Sequence, residues 1–167
     1  MAVKHSIDFG ISFYQTTRNS PIMHPEELVV SLEEELKVMG FVSLKTAQEV
    51  ADHFAHQQGV SLLFVNSMCG CAGTGARAGV RLALETSSRQ PDHLVTVFAG
   101  VDEEATDKVF EYTKPYPPSS PIIAVFKDGQ LIHFLERHQI KGNDPAVMAE
   151  GIRTALEGAK PSCCGCS

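Results

Sequence analysis

The spacing of apolar residues changes several times along the chain, and each change predicts an element. Residues 1 to about 23 keep no steady period and read as an arm. At His24-Pro25-Glu26-Glu27 the pattern turns helical. Leu28, Val29, Leu32, Leu36 and Met39 recur at helical spacing, a proline and two acids suit the first turn, and Gly40 supplies the stop. Thr46-Ala47-Gln48-Glu49 is a capping box. It predicts a second helix with Val50, Ala51 and Phe54 on one face, ending near Gly59. Leu62-Leu63-Phe64-Val65 then breaks the period with a continuous apolar run, as in a strand covered on both faces.

A helix is expected from about residue 71 to 87, and a second buried strand at Leu94 to Ala99. Asp102 is expected to cap a helix that turns Ala105, Val109 and Tyr112 inward. Lys114 to Pro121 holds four prolines, which block regular structure. Ile122–Phe126 and Leu131–Leu135 read as strands around Lys127-Asp128-Gly129-Gln130, where Asp-Gly is a strong hairpin signal. Asp144-Pro145 opens a last helix, with Val147, Met148, Ile152, Ala155 and Leu156 on its apolar face and Gly158 at its end. No internal repeat interrupts this order.

From Ser61 onward the order is strand, helix, strand, helix, strand, strand, helix. Parallel units followed by a hairpin give an α/β fold, a mixed central sheet with helices on both faces. That order is the thioredoxin-like core, and the two leading helices are an N-terminal helical extension. The chain thus divides into an arm (1–23), a thioredoxin-like domain (24–159) and a cysteine-rich tail (160–167).

Composition narrows the function classes. With 167 residues and 43% hydrophobic content the chain can bury one core without disulfides. The net charge of -6 and the scattered lysines and arginines argue against a nucleic-acid partner. No run approaches the roughly eighteen apolar residues of a membrane span. The N-terminus carries Asp8 where a signal peptide needs an apolar core. A cytoplasmic protein is expected.

The five cysteines fall in two tight groups, Cys69 with Cys71, and Cys163, Cys164 and Cys166. Clustering of this kind points to redox chemistry or to a metal rather than to a disulfide framework. Cys69 stands where a strand ends and a helix begins. There, unpaired N–H groups and the helix dipole favour the thiolate, the attacking species in disulfide exchange. Cys71 can then attack the mixed disulfide. A bridge across so short a loop would be strained and easily reduced, and Gly70 supplies the freedom the ring needs. Gly73, Gly75 and Gly79 allow either close approach of a substrate or tight packing of the helix on the sheet. Ser119-Ser120-Pro121 precedes a strand across the core, the place where thioredoxin-like proteins carry a cis-proline against the cysteines. A cis Ser120–Pro121 bond is predicted, with Gly70, Ser120 and Pro121 contacting the substrate.

Several segments together resemble the bacilliredoxin family. They are Val65-Asn66-Ser67-Met68-Cys69-Gly70-Cys71-Ala72-Gly73, Thr96-Val97-Phe98-Ala99-Gly100, Pro118-Ser119-Ser120-Pro121, and His133-Phe134 with Glu136-Arg137-His138. The resemblance covers roughly residues 25 to 158. It implies a thioredoxin fold, no cofactor, and a thiol–disulfide oxidoreductase that removes bacillithiol or another small thiol from mixed disulfides on proteins. By that resemblance Cys69 is the nucleophile and Cys71 the resolving cysteine, and weak disulfide isomerase activity is implied. The arm is longer, and the tail richer in cysteine, than the family pattern.

The alternative is a non-catalytic metal- or thiol-sensing protein that uses the clustered cysteines as ligands. Three tail thiolates leave a tetrahedral site one ligand short. The tail could also act as a resolving relay for Cys69, or have no role. His53 and His56 lie three apart on one helix, spacing that suits ligands but is more often merely exposed. His133 reads as a satisfied strand residue. Glu136-Arg137-His138 is a candidate polar rim for a charged thiol, and Glu33-Glu34-Glu35 is most simply a solvated helix face.

Overall fold

A computed structural model describes residues 25–159 except Cys69, without the side chains of Pro25, Glu26 and residues 70–72. The arm and the tail with Cys163, Cys164 and Cys166 therefore lie outside the described residues. The elements are α1 (Pro25–Val38), β1 (Val42–Ser43), α2 (Ala47–His56), β2 (Val60–Ser67), α3 (Gly70–Thr86), β3 (His93–Ala99), α4 (Glu103–Tyr112), β4 (Ile122–Lys127), β5 (Gln130–Leu135), α5 (Arg137–Ile140) and α6 (Pro145–Gly158).

The continuous apolar run becomes β2, buried at every position. It sits mid-sheet because both of its faces must be covered. The strand order is β1-β3-β2-β4-β5, with β1, β3 and β2 parallel and β4 and β5 joined antiparallel. This is a thioredoxin-like fold. Alternate residues of β2 feed two cores. Leu62 and Phe64 pack with Leu36, Val80, Met148 and Ile152 from α1, α3 and α6. Leu63 and Val65 pack with Val50, Phe54, Ala105 and Val109 from α2 and α4. Each buried Val, Leu, Ile, Phe or Met among these contributes about 1.5–3 kcal/mol on burial.

The predicted turns form as expected. Thr46 and Glu49 cap α2 reciprocally. Asp128 and Gly129 both take positive φ (48° and 77°), the two-residue turn that matches strand twist. The Asp144 carboxylate accepts from the Ala146 N–H (2.8 Å) at the start of α6.

Five details differ. Asp102 precedes α4, but no helix N–H bonds its carboxylate, which accepts from the Phe98 N–H instead. β1 has only two residues, too few to show a period, and is held by pairing with β3. α5 is a single turn closed by Glu136 and Gln139. α2 stops at His56, where Gln57 turns extended, before Gly59. Val147 is 65% exposed rather than on the apolar face of α6, since the buried stripe runs through Met148, Ala149, Ile152 and Leu156.

The register brings one set of chain ends together. Ser67 lies opposite Ala99, Val65 opposite Ile122, and Ile123 opposite Leu135. The ends of β2, β3 and β5 and the start of β4 therefore meet at one end of the sheet. No described helix is long and apolar enough to cross a membrane.

Candidate active site

β2 ends at Ser67 and α3 begins at Gly70, so the chain passes from strand to helix across Met68 and Cys69. Cys71 is the second residue of α3. The first turn of α3 contains no acidic residue. Met68 is exposed and borders a shallow cleft with Val29, Val30, Lys45 and Val101. In this cleft the Lys45 ammonium donates to a Glu33 carboxylate oxygen at 2.8 Å, and that bond raises the lysine pKa.

The Ser120–Pro121 peptide is cis, as the sequence predicts, and Lys114–Pro115 is cis as well. Pro121 is buried and precedes Ile122, whose partner on β2 is Val65. It therefore stands across from the last residues of β2. The Ser120 carbonyl accepts from the Arg137 guanidinium at 3.0 Å. Arg137 begins α5, so Glu136-Arg137-His138 does lie at this end of the sheet.

Sequence reasoning missed the residues beneath the junction. Asn66 is fully buried. Its Oδ1 accepts from the Ser67 N–H (2.9 Å) and from Arg77 Nη1 (3.3 Å). Arg77 is only 6% exposed, and its Nε donates to Glu35 Oε2 at 2.8 Å. Glu35 also accepts from Arg81 Nη2 at 2.9 Å. Glu35 is thus partly buried and paired rather than simply solvated, and Glu33 pairs with Lys45. One signal was available: Arg77 interrupts the small and apolar stretch Ala76-Arg77-Ala78-Gly79-Val80.

The glycines divide. A Cβ on Gly79 would meet Met148 Cβ at 3.2 Å and the Pro145 carbonyl at 3.3 Å, so Gly79 lets α3 pack closely, though against α6 and not the sheet. A Cβ on Gly75 would meet nothing within 4 Å.

The His53 and His93 rings meet edge to face with centroids 5.5 Å apart. His53 Nε2 bonds the Ser61 hydroxyl (3.0 Å) and His56 Nδ1 bonds the Asp52 carbonyl (2.9 Å), so they do not form a ligand pair. Burial, with the neighbouring His93, lowers the His53 pKa. His133 is not the satisfied residue expected, because its Nε2 has no partner among the described residues, and burial lowers its pKa. The described residues include no group of three metal-ligating side chains.

Comparison with known proteins decides the family. A family model described as disulphide isomerase matches residues 24–159. A bacilliredoxin of Cytophaga hutchinsonii is 52% identical over 135 residues, spanning 81% of this chain and 98% of its own. The chain belongs to the bacilliredoxin family. A bacilliredoxin of Symbiobacterium thermophilum is 48% identical (78% of this chain, 91% of its own), and one of Geobacillus kaustophilus 42% (78% and 90%). A solved structure described as having a thioredoxin fold aligns with a TM-score of 0.49 at 12% identity, covering 65% of this chain and 92% of that one. Bacilliredoxin membership, with the strand-to-helix junction at the Cys-Gly-Cys segment, makes the chain a thiol–disulfide oxidoreductase.

Proposed function

We propose that the chain reduces mixed disulfides between proteins and a low-molecular-weight thiol, bacillithiol in a host that makes it, in the cytoplasm. Cys69 attacks as a thiolate and Cys71 resolves. The observation that carries this reading is the junction itself, a cysteine pair entering the acid-free first turn of α3 across the sheet end from Ser120–Pro121. A helix start of this kind favours an anion.

The exchange balances without a cofactor. The Cys69 thiolate attacks the sulfur of the small thiol. The old S–S bond breaks, and the protein substrate leaves as a thiolate that takes a proton from water. Cys69 now carries the small thiol as a disulfide. The Cys71 thiolate then attacks Cys69, forming the Cys69–Cys71 disulfide and expelling the small thiol, or a second small thiol attacks and restores Cys69. The backbone of Gly70 and of Ser120–Pro121 receives the substrate chain.

Two variants test the roles on a protein carrying bacillithiol, followed by mass spectrometry. Cys69→Ser is expected to abolish release of bacillithiol. Cys71→Ser is expected to accumulate the Cys69–bacillithiol adduct. Release by Cys69→Ser at the wild-type rate would refute the assignment.

A further inference from the structure

The buried guanidinium of Arg77 explains little as a structural feature and more as part of the site. Burying a charge is costly unless it is fully paired. The Arg77 side chain runs back along α3 toward its start, as helix geometry directs. Besides Glu35, it reaches Asn66 Oδ1 (3.3 Å) and Thr74 Oγ1 (3.4 Å). Its Nη1 would lie 3.0 Å from a Cβ on Gly73, the fourth residue of α3. The charge therefore sits against the first turn of the helix that carries Cys71.

Its counter-ion is shared. Glu35 holds both Arg77 and Arg81, so two cations meet one carboxylate and one positive charge remains. The Arg81 side chain is 49% exposed and that of Arg77 only 7%, so solvent screens the former and hardly the latter. A brace between α1 and α3 needs only the exposed Arg81–Glu35 pair. It does not need a guanidinium drawn inward to the end of β2. There the contact fixes Asn66, whose Nδ2 has no partner among the described residues, three residues before Cys69. Other charges at this end of the sheet are the Glu33–Lys45 pair, Asp102, Glu103 and Glu104 at the start of α4, the Glu136–His138 pair, and Arg137 on the Ser120 carbonyl.

We infer that Arg77 is a positioning residue for thiol exchange. Its charge, left in excess over Glu35, favours the thiolate of the pair at the start of α3, and its contact with Asn66 sets the turn that carries Cys69. The inference rests on the reading of Cys69 as nucleophile.

The test is the rate of iodoacetamide alkylation of Cys69 in the reduced full chain at pH 6.5, read by peptide mass spectrometry. Arg77→Gln is expected to slow it about tenfold, as loss of a close opposite charge raises a thiol pKa by about one unit or more. Arg77→Lys keeps the charge and should stay within about threefold of wild type. Glu35→Gln uncovers positive charge and should accelerate alkylation about twofold to threefold. Opposite signs for Arg77→Gln and Glu35→Gln support the inference. Slowing in both, or no change in either, overturns it, since a brace responds the same way to loss of either partner. If Arg77→Gln fails to fold, Glu35→Gln decides: faster than wild type supports, equal or slower overturns. A wild-type Cys69 that alkylates no faster than free cysteine overturns the nucleophile reading itself. A fast wild type with unmoved variants overturns only the role of Arg77.

Discussion

β2 and β3 run parallel as neighbours, and each hands the chain to a helix at the same end of the sheet. The two junctions are charged oppositely. The β3–α4 junction follows Gly100 and Val101 with Asp102, Glu103 and Glu104, placing acids at the positive end of the α4 dipole. The β2–α3 junction has no acid in its first turn, and the full charge packed beneath it is the guanidinium of Arg77. Where a helix start serves only the fold, the chain supplies its own anion. Where it serves chemistry, as proposed for α3, the absence of an acid would leave the anion site for a thiolate. The two strands are neighbours and run in the same direction, so strand direction is held constant in this contrast.

Giving α3 the acidic start of α4 should break the contrast most severely. Ala72→Glu adds a carboxylate to the first turn of α3. Alkylation of Cys69 at neutral pH is expected to slow about fivefold to tenfold, while the thermal midpoint holds or rises because an acid at that place suits the dipole. An unchanged rate in a stabilised protein would separate the dipole from the chemistry.

The reciprocal change is smaller. Glu103→Gln with Glu104→Gln should destabilise the fold by about 0.5–1 kcal/mol in urea at low salt, and by less at high salt, because these exposed charges are screened. Cys69 alkylation should stay within about twofold of wild type, since α4 packs on the opposite face of the sheet from α3. A larger drop in rate would mean that the two junctions act as one electrostatic unit.

Much of this contrast was legible in the chain. Leu62 to Val65 announced a strand buried on both faces, and the Cys-Gly-Cys segment after it had to lie at a strand-to-helix turn. Ser120–Pro121 could be placed opposite because a buried strand follows it directly. The charge packed against the first turn of α3 was not legible. Glu35 and Arg77 are 42 residues apart and meet only because α1 packs on α3, a tertiary contact that no local pattern announces. The glycines of α3 show the same limit. Gly75 and Gly79 look alike in sequence, yet only Gly79 faces α6. β1 escaped because two residues carry no period, and its existence depends on the free edge of β3.

The finest test concerns Asp102, where the α4 junction departs from a simple cap. No helix N–H bonds its carboxylate. Oδ2 accepts instead from the Phe98 N–H at 3.3 Å, back in β3. Burial raises its pKa, partly opposed by the Lys45 charge and that N–H. In the unfolded chain the carboxyl titrates near its ordinary value of about 3.9. As pH rises through that value the unfolded chain gives up its proton first, so the folded protein binds more protons and stability falls with pH until the folded group has also ionised. Asp102→Asn keeps an acceptor for Phe98 but cannot ionise. Wild-type stability relative to Asp102→Asn should therefore be highest near pH 3.5 and decline toward pH 6, by less than about 1 kcal/mol because the group is partly solvated. Urea unfolding of both proteins across that range measures it. A wild-type advantage that grows with pH would mean that the ionised carboxylate serves α4 as a dipole partner after all, like Glu103 and Glu104. A decline would mean that even the acidic junction bears one charge at a cost, and that its service to the helix comes from the two exposed glutamates.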